Sequence, residues 1–180
     1  MLFRMVEMAI RAAQVTDAET IAQVQVRTWQ ATYRGFMPDA FLDGLQVADR
    51  QEANARILQR SDPAAGSFVG TVDGVVRGFI HVGPARHDFG DADPLHGWGE
   101  LQGIYVAPDA QGLGLGHALE AEGRVSLQRA GFTRAYLWVV TGNTGAEQFY
   151  AARGWHPDGV TQTFDVPGAK VPEHRLVVDL

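Results

Sequence analysis

Residues 101–117 read LQGIYVAPDAQGLGLGH: an apolar strand runs into a Pro-Asp turn, and a glycine-rich loop then opens a helix. No other stretch limits the fold so tightly, because strand, loop and helix follow one another without a spacer. Gly112, Gly114 and Gly116 alternate, so the backbone can take positive φ values and a ligand can approach where a Cβ would stand. Successive N–H groups at a helix N-terminus, with the positive end of its dipole behind them, favour phosphate or pyrophosphate. Two nucleotide motifs fail on spacing. A Walker A loop needs Lys after its last glycine, and His117 stands there. A Rossmann fingerprint reads Gly-x-Gly-x-x-Gly near the first strand, whereas this order is Gly-x-Gly-x-Gly deep in the chain.

What the letters match is Gln-x-x-Gly-x-Gly directly after Ile104-Tyr105-Val106 and a Pro-containing turn. This resembles the pyrophosphate loop of the GNAT N-acetyltransferase superfamily, which binds acetyl-coenzyme A. Farther on, Asn143-Thr-Gly-Ala146-Glu-Gln-Phe149-Tyr150, followed by Gly154-Trp155, resembles that superfamily's second signature. The resemblance implies a cofactor-binding set of Ile104, Tyr105, Val106, Gln111, Gly112, Leu113, Gly114, Leu115, Gly116, His117, Asn143, Ala146, Phe149 and Tyr150. It also implies an α/β GNAT fold: one domain over residues 8–180, with a mixed sheet of about seven strands flanked by about four helices. Residues 1–7 form an N-terminal extension.

The rest of the chain agrees with that order. Residues 8–13 read as a strand, and Thr16 with Glu19 fits a capping box opening a helix whose stripe is Ala22, Val26, Trp29 and Tyr33. Gly35 and Pro38 stop it. Trp29, Tyr33 and Phe36 are either core or, by the resemblance, walls of an acceptor pocket; helical spacing favours core for Trp29. Residues 48–59 read as a polar-rich helix. Strands at 67–72 and 75–82 are joined by Asp73-Gly74, a strong hairpin signal, and His81 reads as a solvent-facing or hydrogen-bonded histidine. Strands follow at 100–106 and 134–140, and a second capping box, Thr144 with Glu147, opens the helix that ends at Gly154. An antiparallel pair turning at Pro167-Gly168 closes the chain.

Composition narrows the chemistry. A net charge of −6 over 180 residues gives no basic footprint for nucleic acid or an acidic membrane. The absence of cysteine excludes disulfides, Cys-ligated zinc and a Cys nucleophile. His87, Asp88, Asp91, Asp93 and His96 in the loop 83–99 match no ligand spacing, so no metal is expected. By the resemblance that loop borders the acceptor, and its acidity suggests a cationic one. With no signal-like N-terminus and no run approaching about 18 apolar residues, a cytoplasmic location is expected. A homodimer is left open.

Acetyl transfer to an amine needs a neutral amine, a polarised carbonyl and a proton for the departing thiolate. By position in the resembled family, Tyr150 is the acid and Glu100 the base; a water as base, or a solvated strand-end carboxylate at Glu100, are the alternatives. A backbone N–H of residues 104–106 polarises the carbonyl if that strand splays from its neighbour. Family members that acetylate a ribosomal protein N-terminus carry a Glu five residues before the Asn, where this chain has Trp138, which argues against that substrate. The acceptor is expected to be a small-molecule or peptide amine. A non-catalytic acetyl-coenzyme A sensing domain is the competing reading, and a serine hydrolase is excluded by the lack of a Gly-x-Ser-x-Gly elbow.

Overall fold

The computed structural model describes residues 6–86, 95 and 97–180. Its strands are β1 (Met8–Ala12), β2 (Gly66–Val72), β3 (Val75–Pro84), β4 (Gly99–Val106), β5 (Arg134–Val140), β6 (His156–Val166) and β7 (Ala169–Asp179). Its helices are α1 (Ala18–Thr32), α2 (Asp39–Asp43), α3 (Val47–Leu58), α4 (Leu115–Arg129) and α5 (Thr144–Ala151). The helix beyond the expected four is α2, which follows Pro38 and is too short to show an apolar period.

All seven strands join one mixed sheet in the order β1-β2-β3-β4-β5-β7-β6. β1 to β4 form an antiparallel meander, and Asp73 (φ 48°) with Gly74 (φ 78°) makes the two-residue turn between β2 and β3 that the Asp-Gly pair predicts. Against one face α4 and α5 bury Leu115, Leu119, Leu127 and Tyr150 with Ile80, Leu137 and Leu176 of the sheet. Gly123 makes that approach possible, since a Cβ there would lie 2.6 Å from Ile80 Cδ1. Against the other face α1 and α2 bury Trp29 and Leu42 on Val140 and Val171.

Two features of β4 create the site. The β3–β4 register passes from His81↔Gly103 to Val82↔Leu101, which leaves Gln102 as a bulge and re-aims the side chains on either side of it. Leu101, Ile104 and Val106 therefore face α4, while Tyr105 packs toward α1. Then β4 and β5, parallel neighbours, pair only at Gly99↔Ala135 and Glu100↔Tyr136. Beyond Glu100 they part, and the sheet opens through its middle.

Neither capping box sits where the Thr-x-x-Glu pattern puts it: the first lies two residues earlier, at Gln14 with Asp17, and the second starts one residue earlier, at Asn143. At the first, Asp17 rather than Thr16 is the organiser: its carboxylate accepts from Gln14 N at 2.8 Å and from Arg11 Nη1 and Nη2 at 2.7 and 2.8 Å. The hydrogen bonds from Arg11 hold its pKa below the usual carboxylate range. At the second, Asn143 is the cap: its Oδ1 accepts from Ala146 N at 3.3 Å, and Glu147 Oε1 accepts from Gly142 N at 3.1 Å. At the second site the short Asn143 side chain takes the cap from the neighbouring Thr144.

His81 is a buried, fully bonded histidine, 6% exposed. Asn54 Nδ2 donates to Gln25 Oε1 and Arg50 O, so its Oδ1 faces His81 Nε2 at 3.0 Å, and Ser67 Oγ meets Nδ1 at 2.7 Å. This fixes the neutral tautomer with the proton on Nε2. Burial lowers the His81 pKa from 6.5 to about 4. Between those values the unfolded chain binds a proton that the folded one refuses, so stability is complete above about pH 6.5 and falls as pH drops. The expected loss by pH 4.5 is on the order of 2–3 kcal/mol. Urea midpoints at pH 7.5 and 4.5 for wild type and His81→Gln measure it, and an equal drop in both proteins refutes the assignment.

Candidate active site

The glycine loop does part of what its letters suggest. Gly112 and Gly114 take left-handed φ values of 78° and 91°, and Gly114 is the N-cap of α4. Gly116 does not: it lies inside α4, where a Cβ would meet Phe149 Cε2 at an ordinary 3.5 Å. With no side chain capping the helix and no acidic residue in its first turn, the N–H groups after Gly114 have no side-chain acceptor among the described residues. That end of α4 is suited to an anion. Gln111 Nε2 donates to Val106 O at 3.1 Å, as does Thr28 Oγ1 at 3.2 Å, so the loop and α1 are both tied to the end of β4.

From this loop a cavity of about 1140 Å³ runs through the gap between β4 and β5 to the α1 side of the sheet. Of the expected cofactor residues, Ile104, Tyr105, Val106, Gln111, Gly112, Leu113, Gly114, Gly116, His117, Asn143, Ala146, Phe149 and Tyr150 line it. Leu115 does not. Its side chain is 1% exposed in the core, which leaves only its backbone for a ligand. His117 stacks on Phe149 at 5.4 Å between ring centroids. Arg153, held by Glu120 at 2.7 Å and lying 5.3 Å over the Phe149 ring, braces that wall. Glu120 is buried, which works to raise its pKa, but hydrogen bonds from Arg153, Trp155 and Arg124 bring it below the ordinary value.

Tyr150 is 8% exposed at the gap, and among the described residues its hydroxyl has no hydrogen-bond partner. Burial, then the nearby Tyr105 and Glu120, push its pKa above 10, so it stays protonated. A protonated phenol on an opening is a proton donor in waiting.

Glu100 differs from expectation. It is 2% exposed, not a solvated strand end. The Arg86 backbone N–H reaches its Oε2 at 3.0 Å, and Arg86 Nε reaches both carboxylate oxygens at 3.0 Å. These bonds occupy the lone pairs that a base needs. Of the acidic loop, residues 87–94 and 96 lie outside the described residues, and the ligand candidates His87, Asp88, Asp91, Asp93 and His96 with them. Among the described residues no group of three or more His, Asp or Glu side chains is placed to hold a metal.

Sequence reasoning named only part of the far wall: of its acceptor-pocket candidates Trp29 and Tyr33 line the cavity and Phe36 does not, while Glu173, Gln162 and Arg50 were not foreseen. Trp29, Tyr33 and Tyr105 line the cavity, with Trp29 centroids 5.4 Å from Tyr33 and 6.3 Å from both Tyr105 and Phe164. Trp29 is thus both core, at 8% exposure, and wall. Glu173 and Gln162, paired across β7 and β6, complete the wall together with Arg50 of α3. Glu173 lies in β7, the second strand of the expected closing pair. The alternation of residues 169–173, had Pro172 not masked it, was the one signal available.

A family model described as "Acetyltransferase (GNAT) family" matches residues 24–155. The Uncharacterized N-acetyltransferase YuaI of Bacillus subtilis (strain 168) is 31% identical over 169 residues, covering 93% of this chain and 90% of YuaI. The mycothiol acetyltransferase of Cellulomonas flavigena is 32% identical over 117 residues, 63% of this chain but only 32% of that longer protein. Among solved structures, the PaiA N-acetyltransferase of Thermoplasma acidophilum, in complex with coenzyme A, superposes with a TM-score of 0.71 at 19% identity, covering 93% of this chain and 98% of PaiA. That of yncA from Salmonella typhimurium, with its cofactor acetyl-CoA, does so at 0.70 and 20% identity, covering 96% and 94%.

Proposed function

The chain belongs to the GNAT acetyltransferase family, and on that footing we propose that it transfers an acetyl group from acetyl-coenzyme A directly to the amine of a small molecule or peptide. The observation that carries this reading is the single cavity that joins the uncapped end of α4 to the unbonded Tyr150 hydroxyl through the gap between β4 and β5. The residues fit the cofactor: backbone N–H groups after Gly114 for the pyrophosphate, and the unpaired edge of β4 beyond Glu100 for an extended arm. Bound there, acetyl-coenzyme A supplies a thioester whose C–S bond breaks as the C–N bond forms, while the ammonium releases two protons, one to the thiolate and one to solvent. Tyr150 stands where it can pass a proton to the thiolate. Because Arg86 occupies Glu100, water in the cavity is the better proton acceptor, and Glu100 anchors the chain at Arg86 beside the opening. With no cysteine in the chain, transfer has no thiol intermediate to pass through.

The competing reading, a domain that binds acetyl-coenzyme A without reacting, leaves the Tyr150 hydroxyl without a task. Release of free thiol from acetyl-coenzyme A, followed with a panel of primary amines, separates the two. Amine-dependent release is expected. Cofactor binding without release from any amine would leave a sensing domain.

A further inference from the structure

The cavity wall opposite the glycine loop holds two charged groups with no ion-pair partner among the described residues. Glu173 receives one hydrogen bond, from Gln162 Nε2 at 2.9 Å, and makes no ion pair among the described residues. Arg50 lies over the Trp29 ring, 5.1 Å from its centroid, and no carboxylate of the described residues pairs with it. Trp29 Nε1 is buried beside the Tyr105 hydroxyl, so the indole offers the cavity its ring and not its N–H.

The two charges serve one spot. On the Tyr105 hydroxyl burial is the largest influence and raises its pKa, Trp29 and Tyr33 lower it by hydrogen bonding, and beyond them Glu173 raises it and Arg50 lowers it. Glu173 also acts on Tyr33, whose pKa is raised first by burial and then by the Tyr105 and Tyr150 phenols. Carboxylate, guanidinium and the candidate acid Tyr150 thus surround the same small volume, and the rings of Trp29, Tyr33, Tyr105 and Phe164 fill the space between. A simple alkylamine satisfies Glu173 and leaves Arg50 bare. An acceptor with a carboxylate beside its amine satisfies both.

Resting on the acetyltransferase reading, we propose that the acceptor is a zwitterion of the amino-acid class, its ammonium against Glu173 and its carboxylate held by Arg50. The aromatic wall selects an apolar side chain among such molecules. Glu173 places the nitrogen toward Tyr150, and Arg50 sets the register.

The test uses the full chain with saturating acetyl-coenzyme A and reads thiol release from L-leucine and L-phenylalanine, each beside its amide and its decarboxylated amine. The acids are expected to exceed both analogues in kcat/KM by about tenfold or more. Arg50→Gln is expected to bring that ratio to within about twofold of one, chiefly through KM, and Arg50→Lys to restore part of it. Glu173→Gln keeps the bond to Gln162 and is expected to raise KM by about tenfold for the acids and for their amides alike. Unchanged melting temperatures and an unchanged response to acetyl-coenzyme A exclude misfolding in each variant. Acids no better than their amides, or an Arg50→Gln protein that keeps the preference, overturn the zwitterion. Thiol release from no acceptor, with acetyl-coenzyme A still bound, overturns instead the acetyltransferase reading on which it rests.

Discussion

Acetyl-coenzyme A at a hundredfold excess over its dissociation constant is expected to stabilise the wild-type protein by about 2.7 kcal/mol, raising its melting temperature by about 5–10 °C. Gly114→Glu is expected to abolish that rise. Gly114 is the N-cap of α4 at φ 91°, a conformation that costs a residue with a Cβ about 1–2 kcal/mol, so the variant melts lower even without ligand. The ligand-induced shift, not the melting temperature itself, is therefore the quantity to compare. A glutamate also sets a negative charge beside the N–H groups that await the pyrophosphate. Gly114→Ala separates the two effects, because the nearest atom to its Cβ is Met8 Cε at 4.0 Å and only the backbone strain remains. It is expected to melt lower and yet keep a measurable shift. A full shift in Gly114→Glu would remove the pyrophosphate from this loop.

The stretch around Gly114 was legible because its information is local: positive-φ glycines, a turn proline and a helix start lie next to one another. The same holds for the Asp73-Gly74 hairpin. What the letters hid depends on distant partners. The Gln102 bulge exists only against β3, and the gap beyond Glu100 only because β5 turns toward β7 instead of following β4. Glu100 read as a free base or a solvated strand end, since Arg86, fourteen positions earlier, carried no sign of pairing with it. Glu173 and Arg50 are far apart in the chain, and no period or motif relates them. Their meeting is a product of the fold, as is the double duty of Trp29. Capping boxes failed in a different way: the Thr-x-x-Glu pattern was present, but Asp17 bonds back to Gln14 N and Asn143 caps Ala146 N instead.

Tyr150→Phe is expected to lower the rate of acetyl transfer by about a hundredfold or more while leaving acetyl-coenzyme A affinity nearly unchanged. The substitution removes one oxygen and nothing else. Its ring keeps the edge contacts with Phe149 at 5.1 Å and Trp155 at 6.1 Å, so the α5 wall and the core behind it stay packed. Because the hydroxyl has no hydrogen-bond partner among the described residues, its loss orphans no group within them, and stability is expected to change by less than about 1 kcal/mol. A structural tyrosine predicts the reverse pattern, a lower melting temperature with normal turnover. The protonation state has the right sign for an acid: burial, Tyr105 and Glu120 all raise the pKa, so the proton is present across the neutral range and is given up only to a strong base such as a departing thiolate. Replacing the thiolate's need for a proton should then weaken the dependence on Tyr150. With an activated thioester of a more acidic thiol as donor in place of acetyl-coenzyme A, the gap between wild type and Tyr150→Phe is expected to narrow. A gap that keeps its size with the better leaving group assigns Tyr150 to placing the substrates, and turnover unaltered with acetyl-coenzyme A returns it to the core.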